Sequence, residues 1–252
     1  MTSHGKRLDT VHVSISSILN GRVRPQYINL VVNEDVSRRA NKSMFEALKR
    51  QGINILLRPN EGPHTKYFST MCELEEPAFR VVTADDDIIY PQDWLERLLC
   101  VHGQHPRDVV CWWAKEVQID NSSLRPYLDW PDVTNQHARF DHFALGVSGV
   151  LYPPSMVVAL RDAGDQFRSC CPRADDVWLH AVALRSGHRI RQVTAQVTWP
   201  NHVPGTFETA LKHANHLPDG NDRQIEATYQ PSDLELLRRE KRRPEAPVVE
   251  AK

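Results

Sequence analysis

The hydrophobic pattern in the first half of the chain alternates between two periods. Runs that are apolar throughout, or apolar at every second residue, favour strands. In Ser37–Gly52 the apolar residues Ala40, Met44 and Leu48 recur at helical spacing and a glycine follows, which favours a helix. The predicted strands are Val11–Leu19, Tyr27–Val32, Ile53–Pro59, Phe79–Asp87 and Asp108–Val117. The predicted helices are Ser37–Gly52, His64–Leu74 and Pro91–Gly103.

This order of elements predicts an α/β fold with a mainly parallel central sheet and helices on both faces. In such sheets ligands bind outside the carboxyl ends of the strands. The acidic triplet Asp85-Asp86-Asp87 stands at the end of a predicted strand, so we expect it at a ligand-binding edge.

The second half of the chain is less regular. Asn121–Phe143 is rich in turn-forming and aromatic residues, and Asp175–Gly187 predicts a helix that two aspartates open and a glycine closes. His188–Val193 and Ala195–Trp199 predict strands. The charged tail, residues 236–252, is expected to be disordered.

The composition is that of an ordinary globular protein. Of the 252 residues, 40% are hydrophobic and 25% are charged, and the formal net charge is −1. The absence of a basic excess argues against a nucleic-acid partner. No apolar run reaches the roughly 18 residues that span a bilayer, and Met1–Leu8 has no apolar export core. We therefore expect a cytoplasmic protein, with peripheral membrane association left open.

Five cysteines are present, at positions 72, 100, 111, 170 and 171. Their number is odd and no pair has the CxxC spacing, so the sequence predicts reduced thiols in the core rather than a zinc site or a disulfide framework.

The strongest candidate for chemistry is the triplet Asp85–Asp87. Three adjacent carboxylates repel one another unless a positive group binds them. Magnesium and manganese take oxygen ligands, often one or two carboxylates together with substrate phosphates. A solvated acidic turn is the plainer interpretation, but a preceding apolar strand and a following Tyr-Pro and helix favour a metal site.

The second candidate is the pair Asp175-Asp176 at the start of a predicted helix. Aspartates in a first helical turn often serve only as caps. A carboxylate held on a rigid element could instead act as the general base for an acceptor hydroxyl.

Weaker candidates surround these two groups. The glycines in Gly146–Gly149 permit close approach of the backbone, although a simple turn explains them equally well. Lys66, which follows Gly62-Pro63, could bind a phosphate or be a solvated charge. His202 and His213 are possible late metal ligands, though a lone histidine is more often structural.

Taken together, these segments resemble a bacterial group of family-2-like glycosyltransferases with the GT-A fold. The resemblance covers about residues 11–229. It rests on short sequence motifs and not on composition or periodicity. The segments that carry it are Gly62–Tyr67 (GPHTKY), Val82–Leu98 (VTADDDIIYPQDWLERL), Gly146–Pro154 (GVSGVLYPP), Cys171–Leu179 (CPRADDVWL) and, more weakly, Asn221–Gln224 (NDRQ).

The resemblance implies one domain over residues 9–235, with a nucleotide-sugar-binding half (9–118) and an acceptor-binding, catalytic half (119–235). It also implies a nucleotide-sugar donor, a UDP-sugar above all, a divalent cation (Mn²⁺ or Mg²⁺), and a glycan or glycolipid acceptor in cell-surface glycan synthesis.

The resemblance assigns roles to single residues. Asp87 would bind the metal, with Asp85 and His202 as further ligands. Asp85, Asp86, Lys66 and Gly149 would contact the donor. Asp176 would deprotonate the acceptor hydroxyl, with Asp175 as the second choice, in a single displacement that inverts the anomeric carbon.

Two departures and two alternatives remain. Ser14–Arg22 offers no aromatic ring to stack on uracil, and of the family's lysine-rich stretch only Lys66 carries over. A nucleotidyltransferase would share the sheet and the aspartate-held metal, with Gly21–Arg24 as a thin candidate for its basic loop. A non-catalytic nucleotide- or sugar-binding module is the other alternative.

Overall fold

The structure is a computed structural model and describes residues 1–33, 42–74, 79–120, 123–196, 200–206 and 220–243. Its strands are β1 (Ile28–Asn33), β2 (Ile53–Arg58), β3 (Val81–Thr83), β4 (Ile88–Ile89), β5 (Val109–Cys111), β6 (Ala114–Glu116), β7 (His142–Ala144), β8 (Val150–Tyr152), β9 (Ile190–Gln192) and β10 (Asn201–His202). Its helices are α1 (Val11–Leu19), α2 (Lys42–Arg50), α3 (Phe68–Glu73), α4 (Trp94–Gln104), α5 (Pro154–Ala163), α6 (Phe167–Cys170), α7 (Asp175–Arg185), α8 (Asp222–Thr228) and α9 (Pro231–Lys241). Short 3₁₀ helices cover Gly5–Asp9, Gly62–Lys66, Tyr127–Asp129 and Gly146–Ser148.

The largest sheet of the described residues has four strands in the order β3-β8-β5-β9. Strand β8 is antiparallel to its neighbours β3 and β5, whereas β5 and β9 pair in parallel. Strands β3, β5 and β9 therefore run in one direction and β8 is the reversed strand. Strands β1 and β2 form a separate parallel pair. The predicted α/β fold with parallel sheet strands is confirmed.

The sheet carries apolar clusters on both of its faces. Val110 and Leu151 belong to a cluster built largely from residues before position 113, whereas Cys111 and Val150 belong to a cluster built largely from later residues. Successive side chains of a strand point to opposite faces, so the two paired strands β5 and β8 separate the two cores.

The predicted strand Val11–Leu19 is wrong, because these residues form helix α1. Val11, Val13 and Ile15 alternate with polar residues, which indicated a strand. In the structure Val13 is only partly buried, and the core residues Val11, Ile15 and Ile18 recur at helical spacing. The small serines between them are compatible with both strand and helix spacing, so the packing of the apolar residues determines that the segment is a helix.

Elsewhere in the first half the predicted elements are present with other bounds, and the predicted helix His64–Leu74 is divided into a 3₁₀ helix and α3. Residues 37–41 of the predicted helix Ser37–Gly52 lie outside the described part. Helix α2 ends at Arg50 and is followed by Gly52 with φ of 84°, a backbone conformation that favours glycine. Strand β3 ends at Thr83, two residues before Asp85. The predicted strand Asp108–Val117 is divided into β5 and β6, because Trp112 and Trp113 interrupt it.

The predictions for the second half have a mixed outcome. The predicted helix Asp175–Gly187 is α7, and His188–Val193 contains β9. Of the predicted strand Ala195–Trp199, only residues 195 and 196 lie in the described part of the chain, and they are not in a strand.

The predicted disorder from residue 236 onward is wrong up to Lys241. Helix α9 continues to that residue, with Leu237 fully buried in the C-terminal core and Glu240 buried beneath Arg189. The buried Leu237 and the ion-paired Glu240 anchor this segment to the protein, although its charged composition alone predicts a solvated tail. Residues 244–252 lie outside the described part.

No helix among the described residues is long and apolar enough to cross a bilayer. Cys100, Cys111, Cys170 and Cys171 are free thiols. The predicted core position holds for Cys111 and Cys171, whereas Cys100 is exposed and Cys170 is half-buried. The side chain of Cys72 is outside the described part.

Candidate active site

The acidic triplet lies in the turn between β3 and β4, just beyond the carboxyl end of β3, as the order of elements predicted. The backbone N–H of Asp85 donates a hydrogen bond to the Tyr90 hydroxyl at 2.7 Å. The Tyr90 ring packs on Trp94, with centroids 4.3 Å apart. These contacts fix the turn on the N-terminal core, and they leave Asp86 and Asp87 buried.

Arg7 binds two of the three carboxylates. Its two terminal nitrogens lie 3.1 Å from Asp86 Oδ1 and 3.1 Å from Asp87 Oδ2. The guanidinium stands in a 3₁₀ helix before α1 and is itself buried. A fork of N–H donors matches paired carboxylates well. No sequence motif marks Arg7, because one arginine distant in sequence from the triplet resembles any surface charge.

Lys66 joins the triplet to the second acidic group. Its Nζ lies 2.8 Å from Asp85 Oδ1 and 3.2 Å from Asp175 Oδ2. Lys66 ends the 3₁₀ helix Gly62–Lys66, and Asp175 is the first residue of α7. The two candidate groups, 90 residues apart in the chain by their numbering, therefore form one site around a single ammonium.

The second carboxylate of the pair points elsewhere. Asp176 Oδ1 accepts a hydrogen bond from the backbone N–H of Gly146 at 3.1 Å. Asp175 is buried, whereas Asp176 is partly exposed. Asp175 therefore contacts Lys66 and Asp176 contacts Gly146, both in other segments of the chain. Residues that only cap a helix would contact the first turn of that helix.

The pKa values of the two carboxyl groups at the start of α7 are shifted in opposite directions. Burial, the largest single influence, would raise the pKa of Asp175, but the charges of Lys66 and His64 and the hydrogen bond from Lys66 together outweigh it, and the pKa is lowered. Burial, and after it the charge of Asp175, raises the pKa of Asp176 to about 8. Burial disfavours the ammonium of Lys66, yet Asp175 and Asp85 hold its pKa well above the ordinary value. One carboxyl is thus fixed as an anion and the other exchanges its proton near neutral pH.

In the triplet, the pKa values of Asp86 and Asp87 are raised above those of ordinary aspartates. Burial raises the pKa of Asp87 to about 6, with repulsion from Asp85 adding to it and Arg7 opposing it. Burial likewise raises the pKa of Asp86. Asp86 Oδ2 is also buried without a hydrogen-bond partner. The five carboxyl groups of the site face two basic side chains, Arg7 and Lys66, so the site has room for further positive charge.

The predicted ligand His202 lies beside the triplet. Its Nδ1 is 3.9 Å from Asp87 Oδ2, and His202 is paired with Ile88 across strands β10 and β4. The backbone N–H of Val203 donates to Asp87 O at 2.8 Å, which holds β10 in place. The other predicted histidine, His213, lies outside the described residues.

Within the described residues, no cluster of three or more His, Cys, Asp or Glu side chains could hold a metal ion alone. Asp85, Asp87 and His202 therefore do not form a closed cage, and Asp85 and Asp87 are each bound by a basic side chain. Magnesium and manganese commonly take one or two carboxylates and complete their shell with phosphate oxygens and water. A cation at this place would therefore need oxygens from a bound ligand and water to complete its shell.

The two glycines of the Gly146–Gly149 segment serve different contacts. A Cβ at Gly146 would stand 3.0 Å from Asp176 Oδ1 and 3.1 Å from Lys66 Nζ, so glycine lets the backbone reach the acidic pair. Gly149 has φ of 95°, and a Cβ there would stand 2.6 Å from the Trp94 ring. Packing thus accounts for Gly149, while its predicted contact with the donor stays a prediction.

The weakest motif segment, Asn221–Gln224, positions α7 from outside the site. Gln224 Oε1 accepts a hydrogen bond from the backbone N–H of Arg173 at 2.8 Å, and Asp222 Oδ1 accepts one from Tyr127 N–H at 2.7 Å. The first contact ties α8 to the turn before the acidic pair, and the second ties it to the 3₁₀ helix Tyr127–Asp129.

Comparison with solved structures shows the fold. The Staphylococcus aureus protein TarS (residues 1–349), a glycosyltransferase, superposes with a TM-score of 0.51 at 11% sequence identity, over 94% of this chain and 67% of that one. CMP:2-keto-3-deoxy-manno-octonic acid synthetase, solved with CTP, gives a TM-score of 0.48 at 10% identity, over 79% of this chain and 85% of that one. The fold is of the GT-A, Rossmann-like type. No family model and no curated protein matches the sequence.

Proposed function

We propose that this protein is a metal-dependent glycosyltransferase that moves a sugar from a nucleotide-diphosphate sugar to an acceptor hydroxyl. The observation that carries the proposal is the position of Lys66 Nζ, 2.8 Å from Asp85 and 3.2 Å from Asp175. It brings a candidate donor-binding group and a candidate base into one site at the carboxyl end of β3. Ligands of α/β sheets bind at that end, and the GT-A-type fold is compatible with this activity.

The triplet is the donor side of the proposed site. Asp87 would hold Mn²⁺ or Mg²⁺, with His202 and Asp85 as further protein ligands. Asp85, Asp86 and Lys66 orient the nucleotide diphosphate, and Gly149 borders the sugar. When bound, the cation neutralises negative charge on the departing diphosphate. The charge excess of five carboxyl groups over two basic side chains supports a cation here.

The pair is the acceptor side of the proposed site. Asp176 takes the proton of the acceptor hydroxyl while that oxygen bonds to the anomeric carbon and the bond from this carbon to the diphosphate oxygen breaks. A pKa of about 8 gives Asp176 a useful base strength near neutral pH. Asp175, which Lys66 holds as an anion, is the second candidate for the general base. A single displacement with one base and no protein nucleophile inverts the anomeric carbon.

The finer assignments rest on the sequence resemblance. We propose a UDP-sugar as the donor and a glycan or glycolipid of the cell surface as the acceptor, with synthesis in the cytoplasm.

Calorimetry with a panel of nucleoside diphosphates, with and without Mn²⁺, tests the donor side. We expect one nucleotide to bind to the wild type only when metal is present and to lose that binding in Asp87→Asn. The control is Asp162→Asn, an exposed carboxylate on α5 whose side chain is 69% accessible and which should bind as the wild type does. Absence of binding to folded wild type in either condition would overturn the proposal.

Product analysis then separates the competing activities. With the nucleotide-sugar that binds, we expect acceptor-dependent release of the nucleoside diphosphate. Formation of a nucleotide-sugar from a nucleoside triphosphate, with release of pyrophosphate, would instead identify a nucleotidyltransferase. Metal-dependent binding without turnover of any acceptor would identify a binding module.

A further inference from the structure

A second charged cleft lies at the opposite edge of the sheet. Its volume is about 510 Å³. It is bordered by the amino ends of β5 and β9, since Asp108 directly precedes β5 and Arg189 directly precedes β9. The acidic triplet follows the carboxyl end of β3, which runs in the same direction as β5 and β9. The cleft is therefore separate from the candidate active site.

Arginine dominates the lining of this cleft. Five guanidinium groups face two carboxylates, and two imidazoles stand among them. The basic residues are Arg107, Arg139, Arg189, Arg191, Arg243, His105 and His137; the acidic ones are Asp108 and Glu240.

Part of this charge is neutralised within the protein. Arg191 Nε lies 2.7 Å from Asp108 Oδ2, and Arg139 forms a two-pronged ion pair with buried Asp141. These bonds hold the wall of the cleft in a fixed arrangement, because they join the residue before β5 to β9 and brace the segment before β7. These ion pairs therefore neutralise the charge of the cleft wall, but they do not neutralise the arginines at its rim.

The rim carries the unbalanced charge. Glu240 Oε1 is bound by Arg189 and also lies 3.8 Å from Arg243, so one carboxylate is shared by two guanidiniums. Arg243 is 56% exposed. Arg107 is exposed, and none of the described carboxylates lies within ion-pair distance of it. Two accessible guanidiniums at the mouth of a concave, positively charged cleft are the donor set that binds phosphate oxygens.

We infer that this cleft binds a phosphate-bearing anion, either a soluble phosphate compound or the phosphate of a lipid headgroup. The preformed arginine wall presents N–H donors that are already oriented, and Arg107 and Arg243 supply the charge that the protein does not neutralise. This inference is independent of the proposed transferase activity, since it uses other residues at the other edge of the sheet.

Calorimetric titration of the full chain with inorganic pyrophosphate in EDTA, at low salt, tests the cleft without metal at the triplet. We expect saturable binding to the wild type and a loss of about tenfold or more in affinity in Arg107→Gln/Arg243→Gln, since each removes a charge-assisted hydrogen bond. The matched control is Arg22→Gln/Arg50→Gln, which makes the same charge change at exposed arginines outside the cleft. The control should bind as the wild type does.

Sedimentation with phosphatidylglycerol-containing vesicles, compared with pure phosphatidylcholine, identifies the source of the phosphate. Binding to the anionic vesicles that pyrophosphate competes away, and that the cleft variant loses, indicates a lipid headgroup. Pyrophosphate binding without vesicle binding indicates a soluble ligand. The inference is overturned if wild type shows no saturable pyrophosphate binding, or if the control pair loses affinity as much as the cleft pair.

Discussion

The acidic triplet after β3 and the acidic pair at the start of α7 share Lys66 but differ in how their charges are balanced. In the triplet every carboxylate has a basic neighbour: Lys66 binds Asp85, and Arg7 binds the other two. In the pair, Lys66 binds Asp175 at 3.2 Å, while the hydrogen bond described for Asp176 comes from an uncharged backbone N–H.

This difference separates two tasks. A set of carboxylates held rigidly by cations is suited to binding, because its geometry is fixed before a ligand arrives. A carboxyl whose pKa is raised to about 8 by burial and a neighbouring anion is suited to proton transfer near neutral pH. The comparison therefore predicts that substitutions at the pair act on turnover, and those at the triplet act on nucleotide binding.

The largest expected effect is that of Asp176→Asn on transfer. Removing the proposed base should lower kcat by about 10³-fold, since general-base catalysis contributes roughly 10²–10⁴-fold. Nucleotide affinity should stay unchanged, because Asp176 is not in the triplet. Steady-state kinetics and calorimetry on one preparation measure both. A variant with wild-type kcat would remove Asp176 from the mechanism.

The next effect is that of Asp87→Asn on metal-dependent nucleotide binding. We expect about a 10²-fold loss of affinity in the presence of Mn²⁺, because the amide cannot supply the anionic ligand on which shared coordination depends. Affinity without metal should change little. Manganese binding can be followed directly by electron paramagnetic resonance with the nucleotide present. Equal losses with and without metal would point to a structural defect instead.

A smaller effect is the pH dependence of transfer. The base must be deprotonated, and the pKa of Asp176 is raised to about 8, so kcat/KM should rise about tenfold between pH 7 and pH 9. A profile that is flat over this range, measured where the protein stays folded, would contradict the assignment. It would favour Asp175, whose pKa is lowered and which is ionised throughout.

Sequence reasoning located both acidic groups because each depends on local signals. The apolar strand before Asp85 and the helical pattern after Asp175 place them on elements, and the strand order places the first at a binding edge. Lys66 was marked by its motif. Its role as the bridge depends on folding, since 3.2 Å from Asp175 is a tertiary distance.

The features that sequence reasoning missed are those set by packing over long separations. Arg7 has no local signature, because its partners Asp86 and Asp87 meet it only in the folded chain. Helix α1 was predicted as a strand because its serines leave the period undecided. The end of α9 was predicted as a solvated tail, since nothing in its composition reveals that Leu237 is buried.

The smallest expected effect is on stability, where the two carboxyls of the pair should respond in opposite senses. Asp175 has a lowered pKa in the folded state, so its charge stabilises the protein above the unfolded value of about 3.9 and this contribution is lost as pH falls. Asp176 has a raised pKa, so its stabilising, protonated form is fully present only below about 3.9 and is lost as pH rises through about 8.

At pH 9, Asp175→Asn should therefore unfold more easily than wild type by about 2 kcal/mol, because it leaves Lys66 with one anion fewer. Asp176→Asn should be more stable than wild type by about 1 kcal/mol, and this gain should shrink toward pH 4. Urea unfolding at both pH values measures the two differences, with Asp162→Asn as the control. If both variants lose stability equally at pH 9, the ionised Asp176 is not destabilised by burial or by the Asp175 charge in the folded protein, and the contrast between the two carboxyls disappears.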